Sequence, residues 1–426
     1  MRSNPDFLRF VWANGVTQIG TQVTAVALPL AAVLALDAGA LELGLLAAAQ
    51  MAAFLLVGLP AGVWVDRVRR LPVLVWSDLV RGLALATVPA AAWAGVLTLP
   101  HLYAVALVLG FGTVFFDVAH MSVLPAIVPE DRLERGNGAL EVTRNVSLLA
   151  GPGVGGWLVN LLTAPVALLA DSVSYLASAL LLSRVRAEEP RIRAEEPRVP
   201  AGERPARRER RLRREMAEGL TFVVREPVLR RVAVAGALVM AANSICAVGF
   251  PLYLVKELGV GPGRYGLLLS GAACGALAGA ALVPRLTARF GTGATLYGSA
   301  VLATVLYLPA LATGPGWRLA FLPAAGALFG AASSVFGVTQ LSHRQRVTPG
   351  HLLGRVNAAM RFLMWGAFPL GGLLGGALGE RVGGYTVFAV GIAALGVAHL
   401  AVATAPRIRT ATAPPPRPRC ADRDPA

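Results

Sequence analysis

Acidic side chains interrupt long apolar stretches of this 426-residue chain, where an ionised carboxylate is costly and therefore marks a functional candidate. Asp117 lies near the middle of one stretch, and Asp171 lies within another. Because desolvation favours the neutral form of a carboxyl group, a buried carboxylate that meets water can take up and release protons. We predict that Asp117 and Asp171 are proton-coupling groups, with a purely structural role as the alternative for each.

Other charged residues of the apolar stretches have spacings that fit one helix face. Asp78 and Arg81 are three residues apart, as are Glu141 and Arg144, and this spacing brings side chains together on a helix. Arg361 lies inside a later stretch and can form an ion pair with one of these carboxylates. We interpret these five residues as membrane charges with a structural or gating role rather than as substrate ligands.

The sequence contains none of several common catalytic or metal-binding motifs. The five histidines form no HxxxH or HxxxxD pattern, and the chain contains neither a GxSxG nor a Walker-type loop. The three cysteines are scattered without a CxxC pair. We expect no catalytic residue, no metal site and no cofactor.

The composition indicates a membrane protein. The chain is 55% hydrophobic and 15% charged, whereas soluble domains are about 45–50% apolar and about 25% charged. A spanning helix needs about 20 apolar residues, and spanning segments are helices because their backbone groups must be hydrogen-bonded within hydrocarbon. We predict an all-α protein with twelve spans, near residues 10–36, 42–64, 71–96, 101–126, 138–162, 165–183, 230–254, 264–288, 293–313, 317–341, 352–378 and 384–405.

The net charge of +15 comes from arginines, and those between the spans concentrate on one side of the predicted bundle. One side of the predicted bundle carries Arg67, Arg69, Arg70, Arg132, Arg135, Arg344, Arg346 and Arg355. The other side has fewer cations, Lys256, Arg264, Arg318 and Arg381, which lie beside the acids Asp37, Glu42, Glu257 and Glu380. Since cations concentrate in cytoplasmic loops, we predict a multi-pass protein of the cell membrane with both termini in the cytoplasm, and no nucleic-acid partner.

Four parts of the chain differ in composition. We predict a six-helix bundle over residues 1–183, a basic cytoplasmic linker over 184–229, a second six-helix bundle over 230–405 and a disordered tail over 406–426. The linker contains the sequence RAEEPR twice and is too charged and too interrupted by proline to form a core.

The two bundles resemble each other in sequence. "VPEDRLERGNGAL" at 128–140 matches "TPGHLLGRVNAAM" at 348–360 with an offset of 220. With the same offset, the first and the last two glycines of 151–156 match glycines of 371–376. Gly44 matches Gly266 with an offset of 222. Such a parallel duplication predicts two pseudo-symmetric halves with a substrate site between them near the membrane midplane.

Several motifs resemble those of the major facilitator superfamily. "GVWVDRVRR" at 62–70 resembles motif A of that family, and "GPGVGG" at 151–156 resembles its antiporter motif C. The segments 115–133 and 218–231 are similar to the branch of macrolide and enterobactin exporters. The resemblance implies the major facilitator fold for nearly the whole chain, without the linker repeats and the tail.

The resemblance also implies roles for individual residues. The motif A set, Gly58, Gly62, Asp66, Arg67 and Arg70, is implied to latch the two halves together on the cytoplasmic side. The motif C set is implied to shape a bend and to seal the cavity, and comprises Gly151, Pro152, Gly155 and Gly156. The fourth span lacks the arginine of motif B that drug/proton antiporters carry, so their proton-relay assignment does not carry over to this chain.

The predicted cavity has few fixed charges. Its lining candidates are the amides Asn14, Gln18, Gln22, Asn243 and Gln340. Such a lining suits a large amphiphilic substrate. We therefore predict a monomeric alternating-access exporter of amphiphilic small molecules, such as macrolides, other drugs or siderophores, that is driven by the proton gradient. The alternatives are an importer or lysophospholipid flippase of the same fold and, from other classes, a membrane sensor or membrane-embedded enzyme.

Overall fold

The computed structural model describes residues 4–65, 68–128, 133–185, 218–348 and 353–403, and long helices account for most of them. They are α1 (Pro5–Leu36), α2 (Ala40–Val65), α3 (Arg70–Trp93), α4 (Leu99–Ile127), α5 (Leu133–Leu162), α6 (Ala164–Ser183), α7 (Pro227–Phe250), α8 (Pro262–Tyr307), α9 (Phe321–Val347), α10 (Leu353–Trp365) and α11 (Ala367–Ala403). Residues 218–225 are also helical, and a π-helical turn, Pro251–Glu257, continues α7. Shorter 3₁₀ turns lie at Leu308–Ala312 and Gly316–Ala320.

The described helices provide the twelve predicted spans. Nine stretches are long and apolar enough to cross a membrane. Two of these contain a sharp turn, at Gly291 in α8 and at Gly383 in α11, where φ is 78° and 81°, so each holds two spans. Glycine is needed there because a side chain disfavours the left-handed region. The twelfth span is α5, whose charged first half lowers its hydropathy although 30 residues extend about 45 Å.

The helices alternate between two ends of the bundle. One end, here called the terminus face, holds Asn4, the turn at residues 68–69, Gly291 and Ala403. The other end, the distal face, holds the turns at 37–39, 94–98, 258–261 and 313–315 together with Gly383. The described motif A residues Gly58, Gly62 and Arg70 therefore belong to the terminus-face side of α2 and α3.

The chain folds into two halves that repeat one packing pattern. In the N-terminal half, α1 packs on α5 and α6, α3 packs on α4 and α6, and α2 packs on α4. In the C-terminal half, α8 packs on α9, and α7 packs on α11. Two seams join the halves, one between α5 and α8 and the other between α2 and α11. The sequence repeat relates these seams to each other, since α5 corresponds to α11 and α8 corresponds to α2.

The buried apolar residues are continuous across the halves only in part of the described bundle. One large cluster unites both halves toward the distal face, and it contains Leu28 and Leu30 together with Leu254 and Phe388. Toward the terminus face each half has its own cluster. The N-terminal one surrounds Phe10 and Leu74, and the C-terminal one surrounds Val232 and Met360. The halves are thus fused by a shared core at one end and have separate cores at the other.

Candidate functional site

The seam between α5 and α8 is built on the glycines of the "GPGVGG" segment. A Cβ placed on Gly266 would lie 3.0 Å from the Cα of Gly156 and would overlap the carbonyl of Pro152. On the neighbouring face of α5, a Cβ on Gly155 would lie 3.0 Å from the Cα of Val23 in α1. The absence of side chains therefore lets α5 approach α8 and α1 at backbone contact, which is how small residues pack membrane helices.

The seam between α2 and α11 repeats this arrangement at the positions that the sequence offset predicts. A Cβ on Gly44 would lie 3.1 Å from the Cα of Gly376 and would overlap the carbonyl of Gly372. A Cβ on Gly375 would lie 3.2 Å from the Cα of Ile245 in α7. The glycine pairs 156·266 and 44·376 are thus equivalent, and the predicted pseudo-symmetry of the two halves is confirmed.

Charged groups hold the halves together at the distal end of the second seam. The Nζ atom of Lys256 lies 2.7 Å from Oδ1 of Asp37 and donates to the carbonyls of Asp37 and Ala38 at 3.2 and 3.3 Å. The carboxylate of Glu380 accepts from the backbone N–H of Leu41 at 3.2 Å. A cation thus faces the carboxyl end of α1 and an anion faces the amino end of α2, which is the favourable sign for each helix dipole. We call Asp37, Lys256 and Glu380 the distal clasp.

The same helices lose contact toward the terminus face. Gly138 is 18 residues, or five turns, before Gly156 and lies on the same face of α5. No described atom lies within 4 Å of a Cβ placed on Gly138 or on Gly58 of α2. Between these levels, Phe54 stacks on Trp365 with ring centroids 5.5 Å apart, and a cleft of about 140 Å³ lies beside them. Among the described residues, the halves are therefore closed at the distal face and diverge toward the terminus face.

A cavity of about 230 Å³ lies where the halves meet below the distal seams. Both halves line it, with Gln50 and Asn243 as its amide groups and Tyr265 and Phe250 as aromatic walls. Asn243 is a predicted lining residue. Sequence reasoning missed Gln50, although a glutamine in the otherwise apolar stretch of α2 was the available signal.

The other predicted lining residues lie elsewhere in the bundle. Asn14 is buried with 4% of its surface exposed. The side chain of Gln22 packs at the position that a Cβ of Gly151 would occupy, so it fills the contact between α1 and α5. Gln18 is half-buried, and the Oε1 atom of Gln340 is buried. These four residues do not line the 230 Å³ cavity.

Asp78 and Arg81 form a buried ion pair on α3, with side chains 0% and 3% exposed. The guanidinium lies between the rings of Phe116 and Tyr175, at 4.5 and 4.3 Å from their centroids, and its Nε donates to the Ser77 carbonyl at 3.3 Å. Gly112 leaves room for the methylene groups of Arg81, because a Cβ at Gly112 would overlap them. The pair that the spacing suggested is therefore present, and it lies inside the N-terminal half.

Asp171 lies fully buried between α1 and α6. Its carboxylate accepts hydrogen bonds from the hydroxyls of Thr24 and Ser174, the latter at 2.8 Å. Gly20 makes space for it, because a Cβ there would overlap the carboxylate. Neutral hydroxyl donors satisfy both oxygens of this carboxyl group.

Asp117 lies half-buried on α4, with Arg81, Arg144 and Arg361 as the cations whose charge reaches it. Arg144 is 3.8 Å from Glu141, and both of these side chains are about 60% exposed. Arg361 is exposed and faces the 140 Å³ cleft together with Gly58. The described charges of the site therefore divide into a buried group in the N-terminal half and an exposed group where the halves diverge.

The motif A residues are only partly described. Gly58 and Gly62 lie on α2, and Arg70 is the first residue of α3, whereas Asp66 and Arg67 lie outside the described residues. Most of the predicted linker, residues 186–217, and the tail from 404 onward also lie outside them.

Among the described residues, two helical halves enclose a cavity and are closed over it at the distal face, which is an arrangement typical of membrane transporters that work by alternating access. The family model of the Major Facilitator Superfamily matches residues 10–372 and 232–423. The chain belongs to this superfamily.

Similar sequences agree with this assignment. The chain is 29% identical over 387 residues to the multidrug efflux pump Tap of Mycolicibacterium fortuitum, which covers 87% of this chain and 88% of the relative. It is 28% identical over 131 residues, 30% of this chain and 31% of the relative, to the putative bacilysin exporter BacE of Bacillus subtilis.

Solved structures share the fold at low sequence identity. The nucleoside transporter NupG superposes with a TM-score of 0.69 at 12% identity, over 93% of this chain and 98% of that one. A bacterial homologue of the iron transporter ferroportin in an inward-facing state gives 0.70 at 16% identity, over 93% and 97%. These similarities concern the fold alone.

Proposed function

We propose that this transporter exports amphiphilic small molecules across the cell membrane, in exchange for protons. The observation that carries the proposal is the cavity shared by the two halves, which are closed over it at the distal face and diverge toward the terminus face. The relatives named as a multidrug efflux pump and a putative bacilysin exporter support outward transport.

The proposed orientation places the terminus face in the cytoplasm, as the arginine distribution favours. Substrate then enters from the cytoplasm between the diverging ends of α5 and α8 or of α2 and α10. Rocking of the halves about the cavity closes this side, aided by Asp66, Arg67 and Arg70 of motif A. The same movement parts the distal clasp and opens the cavity to the outside.

The cavity lining favours an amphiphilic and weakly charged substrate. Gln50 and Asn243 offer both donors and acceptors, while Phe250, Tyr265 and Leu269 supply apolar surface. None of the described residues that line this cavity carries a full charge. Recognition therefore rests on burial of apolar surface with a small number of hydrogen bonds.

Asp117 and Asp171 are the proposed coupling groups. Asp117 is half-buried beside the diverging ends, where a proton can come from the cytoplasmic side. Asp171 is buried against hydroxyl groups of α1 and α6, which can hydrogen-bond the carboxyl group in either protonation state. The charge of Arg81 interacts with both carboxylates, so protonation of one leaves more of this positive charge to stabilise the other.

Accumulation of a labelled macrolide in an export-deficient bacterium tests the proposal. Cells expressing the chain should hold less label than cells with the empty vector, and collapse of the proton gradient should abolish the difference. Asp117→Asn and Asp171→Asn should raise the label toward the empty-vector level at equal protein abundance. Gln50→Ala should change the concentration dependence while leaving the dependence on the proton gradient intact.

Two results would contradict the proposal. Higher label in expressing cells would indicate an importer. Full export by both Asp→Asn variants would remove these carboxyl groups from coupling and leave them a structural role.

A further inference from the structure

A groove of about 540 Å³ runs along the outer surface of the N-terminal half, where α2, α3 and α4 meet. Its walls are aromatic and aliphatic, with Trp64 and Trp76 at its rim, 51% and 64% exposed, and Phe111 and Phe115 at its back. The rings of Trp64 and Phe115 meet edge to face at 5.4 Å and close one side. This groove is separate from the cavity between the halves, which has other lining residues.

The length of the groove matches one membrane leaflet. It extends along α3 from Arg69 at the terminus face to Val80, which is eleven residues or about 16 Å of helix. Half of a bilayer's hydrocarbon core is about 15 Å thick. The groove therefore begins at the headgroup level and ends near the bilayer centre, which is the depth of one acyl chain.

The outer end of the groove is cationic. Arg69 is exposed, lines the groove and precedes the first residue of α3, so its guanidinium lies at the membrane edge near the positive end of that helix. The latch that the resemblance implies for motif A involves the neighbouring Asp66, Arg67 and Arg70. It gives Arg69 no role. Trp64 lies near the end of α2 at the same face, and tryptophan is typical of side chains that lie among lipid headgroups.

A second lipid-facing groove provides an internal comparison. It has a volume of about 400 Å³, lies between α8 and α9, and is lined by Leu282, Phe290, Leu302 and other apolar residues. No lysine or arginine is among the described residues that line it. The guanidinium of Arg289 lies 5.3 Å from the ring centroid of Phe290 at the terminus-face end of this groove, outside its lining. The two grooves thus share apolar walls and differ in whether a described cation itself lines the groove.

We propose that the groove between α2, α3 and α4 binds one acyl chain of an anionic phospholipid, with the lipid phosphate held at the Arg69 guanidinium. The apolar walls supply affinity for the chain, and the charge at one end selects the headgroup. The floor of the groove is formed by Ser77 and Gly112, which contact the side chain of Arg81. A bound lipid therefore supports the helices that hold the Asp78–Arg81 pair and the motif A turn.

Lipid retention in nanodiscs tests the proposal without any transport measurement, so its outcome is independent of the proposed export activity. The full chain is placed in equal amounts of palmitoyl-oleoyl phosphatidylglycerol and phosphatidylcholine, and native mass spectrometry counts the lipids that stay bound. We expect one retained phosphatidylglycerol in the unmodified protein. Arg69→Gln should reduce that retention about fivefold, as expected for one cation near an anionic surface, and Arg69→Lys should preserve most of it.

The groove itself is tested by a matched pair of substitutions. Val80→Trp fills the proposed site, and Leu302→Trp fills the comparison groove from a position of similar exposure, 45% against 52%. The first should abolish the retained phosphatidylglycerol and the second should leave it bound. Equal phosphatidylglycerol retention by Arg69→Gln and the unmodified protein, or an unchanged lipid in Val80→Trp, would overturn the proposal. Because Arg69 is exposed, its variants remain informative even where Val80→Trp folds poorly.

Discussion

At the scale of single residues, the charges of the N-terminal half differ in what each would cost to remove. Arg81 lies among carboxyl and aromatic groups of α3, α4 and α6, and its partner Asp78 is fully buried. A buried pair contributes little relative to a well-packed apolar pair, but removal of one partner leaves an uncompensated charge. Glu141 and Arg144 are exposed, so water and ions already stabilise each of them separately.

Replacement of Asp78 by Asn should therefore destabilise the protein by about 3–5 kcal/mol. The loss is measured as a lower thermal midpoint of the detergent-solubilised protein and as lower abundance in the membrane. The double replacement Asp78→Leu with Arg81→Met should recover much of the stability, because no charge is left unpaired.

Glu141→Gln is the matched control for this experiment. It breaks an exposed pair on α5 and should change stability by less than about 1 kcal/mol. If Asp78→Asn is as mild as this control, the charge of Arg81 is balanced by Asp117 or Asp171 instead.

At the scale of helices, glycine placement determines which pairs of helices can touch in each state. Gly44 and Gly58 both lie on α2, but only Gly44 is in backbone contact with the other half in this structure. A side chain at Gly44 would oppose closure at the distal face. A side chain at Gly58 would contact no other described helix in this structure, and it would oppose closure only at the terminus face.

The pair Gly44→Val and Gly58→Val should consequently shift the protein in opposite directions. Overpacking of a tight contact costs about 1–3 kcal/mol, enough to change the population of a state by about fivefold or more. Ala247→Cys in a background without other cysteines reports on the cavity, because Ala247 is exposed and lines it. Labelling by an impermeant maleimide from the distal side should rise in Gly44→Val and fall in Gly58→Val.

Gly298→Val is the control, since Gly298 also has open space around it but lies at the lipid-facing groove of α8. It should leave the labelling rate unchanged. A shift in the same direction for both α2 variants would mean that Gly58 has no part in closure of the terminus face.

At the scale of the whole molecule, the two seams are equivalent in backbone but not in charge. The seam of α5 and α8 ends in Asn160 beside Gly263, whereas the seam of α2 and α11 ends in the distal clasp. Opening at the distal face must break the Lys256–Asp37 pair.

Reversal of the clasp charges tests this requirement. Lys256→Glu and Asp37→Lys, each alone, should bring like charges together and raise distal labelling of Ala247→Cys about two- to fivefold, the range for an exposed pair. The double variant restores opposite charges and should return labelling toward the unmodified rate. Additive effects in the double variant would show that the two residues act independently.

Hydropathy was sufficient to predict twelve spans and their approximate ends, because each span must satisfy its backbone within the membrane. The spacing of Asp78 and Arg81 predicted their pairing, since both lie on one helix. Contacts between distant helices could not be obtained in this way. Lys256 and Asp37 were visible as charges on the same side, but their pairing depends on how the two halves pack.

The amide residues show the same limit. A polar stripe on α1 suggested Asn14, Gln18 and Gln22 as cavity lining, yet the stripe contacts neighbouring helices of its own half for part of its length. Helical periodicity identifies a polar face and does not say whether that face meets water or another helix. Gln50 lines the cavity because α2 lies at the boundary between the halves.

The exposure of the distal clasp has a consequence for how the surroundings act on the protein. The side chains of Asp37 and Lys256 are 88% and 39% exposed, so ions in the medium at the distal face can screen their attraction. The screening length falls from about 10 Å at 0.1 M salt to about 3 Å at 1 M. Concentrated salt on the distal side should therefore weaken the closed distal end and favour its opening, while the buried Asp78–Arg81 pair stays unaffected. A transporter closed by an exposed ion pair is in this sense sensitive to the salinity of the medium that this ion pair faces.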